Sequence, residues 1–236
     1  MSQLPHPGEA HEGGLSGRLN ALRAGVLGAN DGIVSTAGIV IGVAAASASR
    51  AAIGTAGLAG LAAGAMSMAV GEYVSVSTQR DTEQAMVAQE IRELREQPAE
   101  ELAELAQMYA DRGLTPDLAE AVAVQLTAHD ALAAHAEVEL GFDPEDLASP
   151  WHAAVASMGS FTVGALLPLA AILLSSKSLR IPVTVVAVLL ALALTGWVSA
   201  KVGRSPWARP LVRNVVGGAL AMAITYAVGL LVGPHV

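Results

Sequence analysis

Cysteine is absent from the 236 residues, which excludes disulfides and thiolate metal sites and suits a reducing cytosolic face. Charged residues make up 14% and aromatics 3% of the chain, too little polarity for an ordinary soluble domain of this length. No basic stripe is present to release counterions from phosphates, so nucleic acid is not an expected partner. No Asp or Glu follows Asp146. The first 22 residues, "MSQLPHPGEAHEGGLSGRLNAL", have no long apolar run, and they read as a mobile tail without a cleavable signal peptide. His6 and His11 in that tail read as incidental rather than as ligands.

What the chain has in excess is apolar residues, 53% of the total with a mean hydropathy of +0.51. Five stretches reach the roughly 20 residues that a helix needs to cross a hydrocarbon core: about 24–46, 53–77, 152–174, 181–202 and 211–232. The expected fold class is therefore all-α, a five-span helical membrane protein, with transmembrane helices 1–2 in residues 23–78 and helices 3–5 in residues 150–236. The first two spans are rich in Gly, Ala and Ser, as in "GLAGLAAGAMSM", so their backbones can approach neighbours closely.

The acidic residues are concentrated elsewhere. Residues 79–149 hold 17 of the 21 Asp and Glu against Arg80, Arg92, Arg95 and Arg112, so an acidic polar block is inserted between spans two and three. Orientation follows from Lys and Arg near the spans. An N-terminus in the cytosol puts ten of the 13 basic residues there and leaves Arg50, Lys177 and Arg180 outside. The acidic block is then cytosolic and the C-terminus lies on the opposite side. Within the block, the second span is expected to continue as a helix as far as Pro98. A short helix closed by Gly113 follows, and then a longer one with Thr115 as N-cap, Pro116 at its first position and Gly141 beyond its end. This makes a three-helix insertion.

Two groups of residues could carry chemistry. In the insertion, Glu90 and Glu93 are three apart, as are Glu101 and Glu104, so each pair projects from one helix face. Glu139 follows His135 by four. Like charges at these spacings repel unless they are protonated or bridged by a cation. Oxygen-rich ligands suit Mn²⁺, Fe²⁺, Mg²⁺ or Ca²⁺, and a histidine shifts the preference to transition metals. In the membrane, Asp31 lies about one to two turns inside the first span beside Asn30, and intramembrane carboxylates usually face a bundle interior or a water-filled path. Glu72 and Met68 share a face of the second span and combine a hard and a soft donor. Met66 reads as packing.

Four segments carry a resemblance: "GANDGIVSTAGIVIGV", "AGAMSMAVGEYVSVSTQRDTE", "EIRELREQPAEELAEL" and "HAEVELGFDPEDLASPWHAAVASMGSFTVGALLPL". In this order they resemble the vacuolar iron transporter family in its bacterial form, over nearly all of the chain from Arg18. The resemblance implies a homodimer whose first spans line an ion path, a cytosolic metal-binding domain, and proton-coupled antiport of Fe²⁺, often also Mn²⁺, out of the cytosol. It implies Asp31 and Met68 as membrane metal ligands with Glu72 in the same path, and Glu90, Glu93, Glu101, Glu104 and Glu139 as the cytosolic metal cluster. Where plant relatives have a methionine pair before the last glutamate, this chain has His135 and Ala136. The ions are cargo, and no prosthetic group is expected. A bacterial-type chain would lie in the plasma membrane.

Two other classes are weighed against transport. A di-iron ferroxidase calls for Glu-x-x-His on paired helices, which the acidic block lacks, so an enzyme is not expected. A metal sensor would bind ions at the block without moving them, and a mainly Mn²⁺ exporter is the alternative within the transporter class.

Overall fold

The computed structural model describes residues 12–233 apart from Ala48 and Arg204. His6 and His11 lie outside the described residues. Those described form helices joined by short turns, without strands: α1 (Glu12–Ala46), α2 (Arg50–Glu96), α3 (Pro98–Asp111), α4 (Pro116–His135) continued by a π-helical turn (Ala136–Leu140), α5 (Pro150–Leu174), α6 (Arg180–Val202) and α7 (Ala208–Val232). Five of them are long and apolar enough to cross a membrane: Gly25–Ala46 of α1, the apolar part of α2, α5, Arg180–Lys201 of α6, and α7. The expected all-α, five-span class is what the chain adopts. Helix α1 begins at Glu12, upstream of the span start expected near residue 24, since no proline follows Pro7 to interrupt it.

The chain divides into two compact units, one formed by the residues through Tyr73 and from Trp151 onward, the other by Val74–Pro150. In the first unit all five spans meet in one core that includes Ile33, Val40, Ile53, Leu169, Ile172, Val188, Leu192 and Met222. Lipid tails are as apolar as these side chains, so close packing rather than escape from water must hold the helices together. Glycine provides the closeness. A Cβ on Gly32 of α1 would run into the Phe161 carbonyl of α5, so only glycine permits that crossing. The small residues of α2 serve packing within the chain, with Gly57 against Leu169 and Val40, Gly60 against Ile39, and Gly64 against the Phe161 ring. Arg50 Nη2 donates to the Ser175 carbonyl at the end of α5 (3.0 Å).

In the second unit, Leu105, Ala123 and Ala134 form a small core, with Leu102, Tyr109, Leu126 and Val138 packed against it. Pro98 opens α3, and Gly113, at φ 103°, provides the left-handed turn into α4. Thr115 occupies the N-cap of α4 without a side-chain capping bond. The long helix expected over this stretch is broken at Asp130 (φ −157°, ψ 99°), whose carboxylate accepts the Ala133 N–H at 2.9 Å. Asp130 is therefore an internal N-cap for a second helical segment. That segment widens into the π turn and closes at Gly141 (φ 72°), whose N–H reaches the Ala136 carbonyl at 2.8 Å.

Candidate metal centre

The core of the acidic unit draws polar groups inside. Glu101 and Leu105 are four apart on α3, so burying Leu105 completely carries Glu101 inward to 7% exposure. Ala134 and Ala136 bracket His135 at the end of α4, and all three are buried, His135 at 0%. Glu90, from the charged half of α2, is 2% exposed.

These elements converge on one imidazole nitrogen. His135 Nδ1 lies 3.0 Å from Glu90 Oε1, 3.6 Å from Glu139 Oε2 and 3.7 Å from Glu101 Oε2. Glu90, His135 and Glu139 can each direct a ligand atom to a point where all three atoms lie within 4.8 Å of one another. Despite the 3.0 Å approach, neither Glu90 Oε1 nor His135 Nδ1 has hydrogen-bond geometry to any partner, and His135 Nε2 also lacks one. Buried polar atoms are rarely left in this state. Lone pairs that converge without a shared proton suit a cation, and the mixed nitrogen and oxygen donor set fits a divalent transition metal.

The electrostatics agree with a cation site. Burial, reinforced by the neighbouring charges of Glu139, Glu101, Glu93 and Glu104, pushes the Glu90 carboxyl up to about 7. Glu101 is also raised, first by burial and then by Glu104, with His135 acting in the opposite direction. Glu93 and Glu104 thus belong to the same electrostatic cluster, one half-buried and the other exposed. Glu93 accepts the Gln89 side-chain amide at 3.0 Å. Arg112 supports the rim. Its Nη2 donates to the Val138 carbonyl at 3.1 Å, and its guanidinium sits 5.9 Å from the Tyr109 ring centroid. Arg112, the Asp130 break and the π turn are parts of this site that the sequence reading did not include. No Gly or Pro in the surrounding sequence signals the break.

The membrane residues are arranged differently. Asp31 is exposed on α1, and the nearby Ser35 hydroxyl donates to its backbone carbonyl (2.6 Å) rather than to its carboxylate. Met68 is half-buried against the Phe161 and Ala165 cluster, and Glu72 is half-buried on the next turn. Among the described residues, no group of three acids or histidines gathers around Asp31 or Glu72. Met66, expected to pack, is 58% exposed.

Comparison with known proteins bears on both regions at once. The model of the VIT family matches residues 22–230. The chain belongs to the VIT family. It is 44% identical over 225 residues to a vacuolar iron transporter of Acanthamoeba castellanii, covering 95% of this chain and 83% of that protein. A vacuolar iron transporter homolog (number 4) of Arabidopsis thaliana is 38% identical, covering 93% of this chain and 88% of its own length. A rice homolog (number 5) is 40% identical, covering 90% and 80%. The matched residues include both units of this VIT-family chain, which is thus a multi-pass membrane protein. The names of these relatives are those of transporters rather than enzymes.

Proposed function

We propose that this chain is a divalent metal transporter that moves Fe²⁺, with Mn²⁺ as a second cargo, out of the cytosol in exchange for protons. The observation that carries this reading is the cluster of buried Glu90, Glu101 and His135 with the exposed Glu139 beside them, in a chain whose remaining mass is five membrane spans. The names of the relatives favour iron as the cargo. In this reading the acidic unit faces the cytosol and captures the ion, with Glu93 and Glu104 adding charge around it. Asp31, Met68 and Glu72 form the membrane path. A carboxylate binds metal only when deprotonated, so ion and proton exclude one another at each such group, and exchange follows if the group faces the two sides in turn. Two copies pair through their first spans, the N-terminus is cytosolic, the C-terminus lies across the membrane, and the protein resides in the plasma membrane.

The test is flux. Purified protein in liposomes, with metal followed by an entrapped indicator and protons by a pH-sensitive dye, should move Fe²⁺ and protons in opposite directions. Metal entry without proton movement would remove antiport, and no entry of either Fe²⁺ or Mn²⁺ would remove transport.

A further inference from the structure

The basic residues at one end of the α6–α7 hairpin remain unused by any of this. Lys201 closes α6, and Arg209 and Arg213 open α7. The two helices touch here. A Cβ on Gly196 would lie 2.7 Å from Leu211 Cα, so glycine lets the end of α6 pack directly on the start of α7 and brings the three cations to the same end of the hairpin. All three side chains are exposed, and none forms an ion pair among the described residues. None can find an acid nearby in sequence, because nothing acidic follows Asp146.

Two tryptophans accompany them. Trp207 is 61% and Trp197 is 44% exposed, and the Lys201 ammonium lies 5.0 Å from the Trp197 ring centroid. Exposed indoles beside lysine and arginine, at the ends of apolar spans, have the chemistry of the membrane–water boundary. There the rings lie among headgroups, and cations attract anionic lipid. Two arginines near the other turns are used differently, while Lys177 is exposed but has no tryptophan or second exposed cation beside it in sequence. Arg50 donates to the Ser175 carbonyl, and Arg180 is buried at 6% exposure. Those arginines are committed to the protein, whereas Lys201, Arg209 and Arg213 are available to a ligand.

We infer that the Lys201, Arg209 and Arg213 cluster, bracketed by Trp197 and Trp207, is a binding site for the headgroup of an anionic phospholipid. The phosphodiester accepts from the ammonium and guanidinium groups, the indoles lie against the glycerol region, and the acyl chains run along the apolar hairpin. This rests on the chain's membrane insertion and not on what it transports.

Native mass spectrometry of the full chain in detergent, with phosphatidylglycerol and phosphatidylcholine supplied in equal amounts, tests it. The wild-type protein should retain phosphatidylglycerol preferentially. At about 1 kcal/mol per cation near a lipid surface, each of Lys201→Gln, Arg209→Gln and Arg213→Gln should lower that preference about five-fold, and the triple variant roughly 100-fold. Lys177→Gln, in the turn before α6, should leave it unchanged. A triple variant with the wild-type preference would overturn the proposal, as would a Lys177→Gln loss equal to that of Lys201→Gln. Displacement of the lipid by inorganic phosphate at the same concentration would overturn it in favour of a simple phosphate site. The single variants keep the test decisive if the triple variant does not fold.

Discussion

In the acidic unit, Glu90, Glu101, His135 and Glu139 come from four helical segments, yet three carboxylates reach within 3.0–3.7 Å of one buried nitrogen. In the membrane unit, Asp31, Met68 and Glu72 come from only two adjacent helices, yet Asp31 is exposed and Met68 packs against aromatic core. The difference lies in what organises each region. In the acidic unit, apolar neighbours such as Leu105 and Ala134 exclude water and pull the polar groups next to them inside, so one chain gathers a candidate ligand set. In the membrane unit, glycine contacts fix the backbone crossings and leave Asp31 facing outward from its own chain. In the proposed homodimer, that exposed carboxylate faces the path between two copies.

The largest effect should come from Asp31→Asn, which keeps size and hydrogen-bonding capacity but removes charge and proton exchange. If the outward carboxylate is part of the path, metal flux and proton movement in liposomes should both fall to background. The variant should still insert, because an unpaired charge at that depth costs roughly 2.5–3.5 kcal/mol on insertion scales. Metal binding at the acidic unit should be unaffected. Near-normal Fe²⁺ entry would eliminate Asp31 from the path.

The next largest effect should come from the acidic unit. Glu90→Gln and His135→Ala each remove a central donor. Titration of the full chain with Mn²⁺ or Co²⁺ should show an affinity loss beyond the ~10–100-fold that losing a mere outer partner costs. Glu104→Gln, at an exposed position, should lose much less. Equal losses at Glu90 and Glu104 would mean that the region acts as a diffuse negative surface rather than as a site.

Much of this architecture was legible in the sequence. The five spans follow from apolar run length, and the ends of α3 follow from Pro98 and Gly113, whose backbone restrictions are local. The pairing of Glu90 with Glu93 and of Glu101 with Glu104 was visible as spacing. That Glu90 and Glu101 turn inward while Glu104 stays out depends on which face Leu105 buries, and this is decided by tertiary packing. The Asp130 break was hidden in "TAHDALAAH", where alanines support a helix on both sides and no Gly or Pro marks the interruption. The π turn that follows has no compositional signature.

A smaller effect should appear with pH. The Glu90 carboxyl is raised to about 7 and Glu101 is raised as well, chiefly by burial. A raised acid binds protons more tightly in the folded than in the unfolded state. Its stabilising contribution is therefore full below its ordinary value near 4.5 and is lost as pH rises through about 7. Without metal, thermal stability of the acidic unit should fall over that window. With saturating Mn²⁺ it should rise over the same window, because metal takes the place of the proton. Parallel curves with and without metal would show that the ion does not bind at these carboxylates.

The smallest expected effect tests how His135 and Glu139 on the last segment are held. Val138 precedes Glu139, and its carbonyl is among the last of a helix, where no intrahelical donor remains. Arg112 supplies that donor from beyond the end of α3 at 3.1 Å, while its guanidinium rests near Tyr109. Removing a single exposed hydrogen bond costs about 0.5–1.5 kcal/mol, so Arg112→Ala should weaken Co²⁺ binding by about 2–10-fold without loss of helicity. The visible spectrum of bound Co²⁺ should also change, because Glu139 is then free to rotate away from His135. Arg112→Lys keeps the charge, and one donor of the planar fork is replaced by a mobile ammonium. It should recover part of the affinity if the charge contributes and little of the spectrum if the geometry does. An Arg112→Ala protein with unchanged affinity and an unchanged spectrum would mean that the Asp130 cap and the π turn hold Glu139 in place without it.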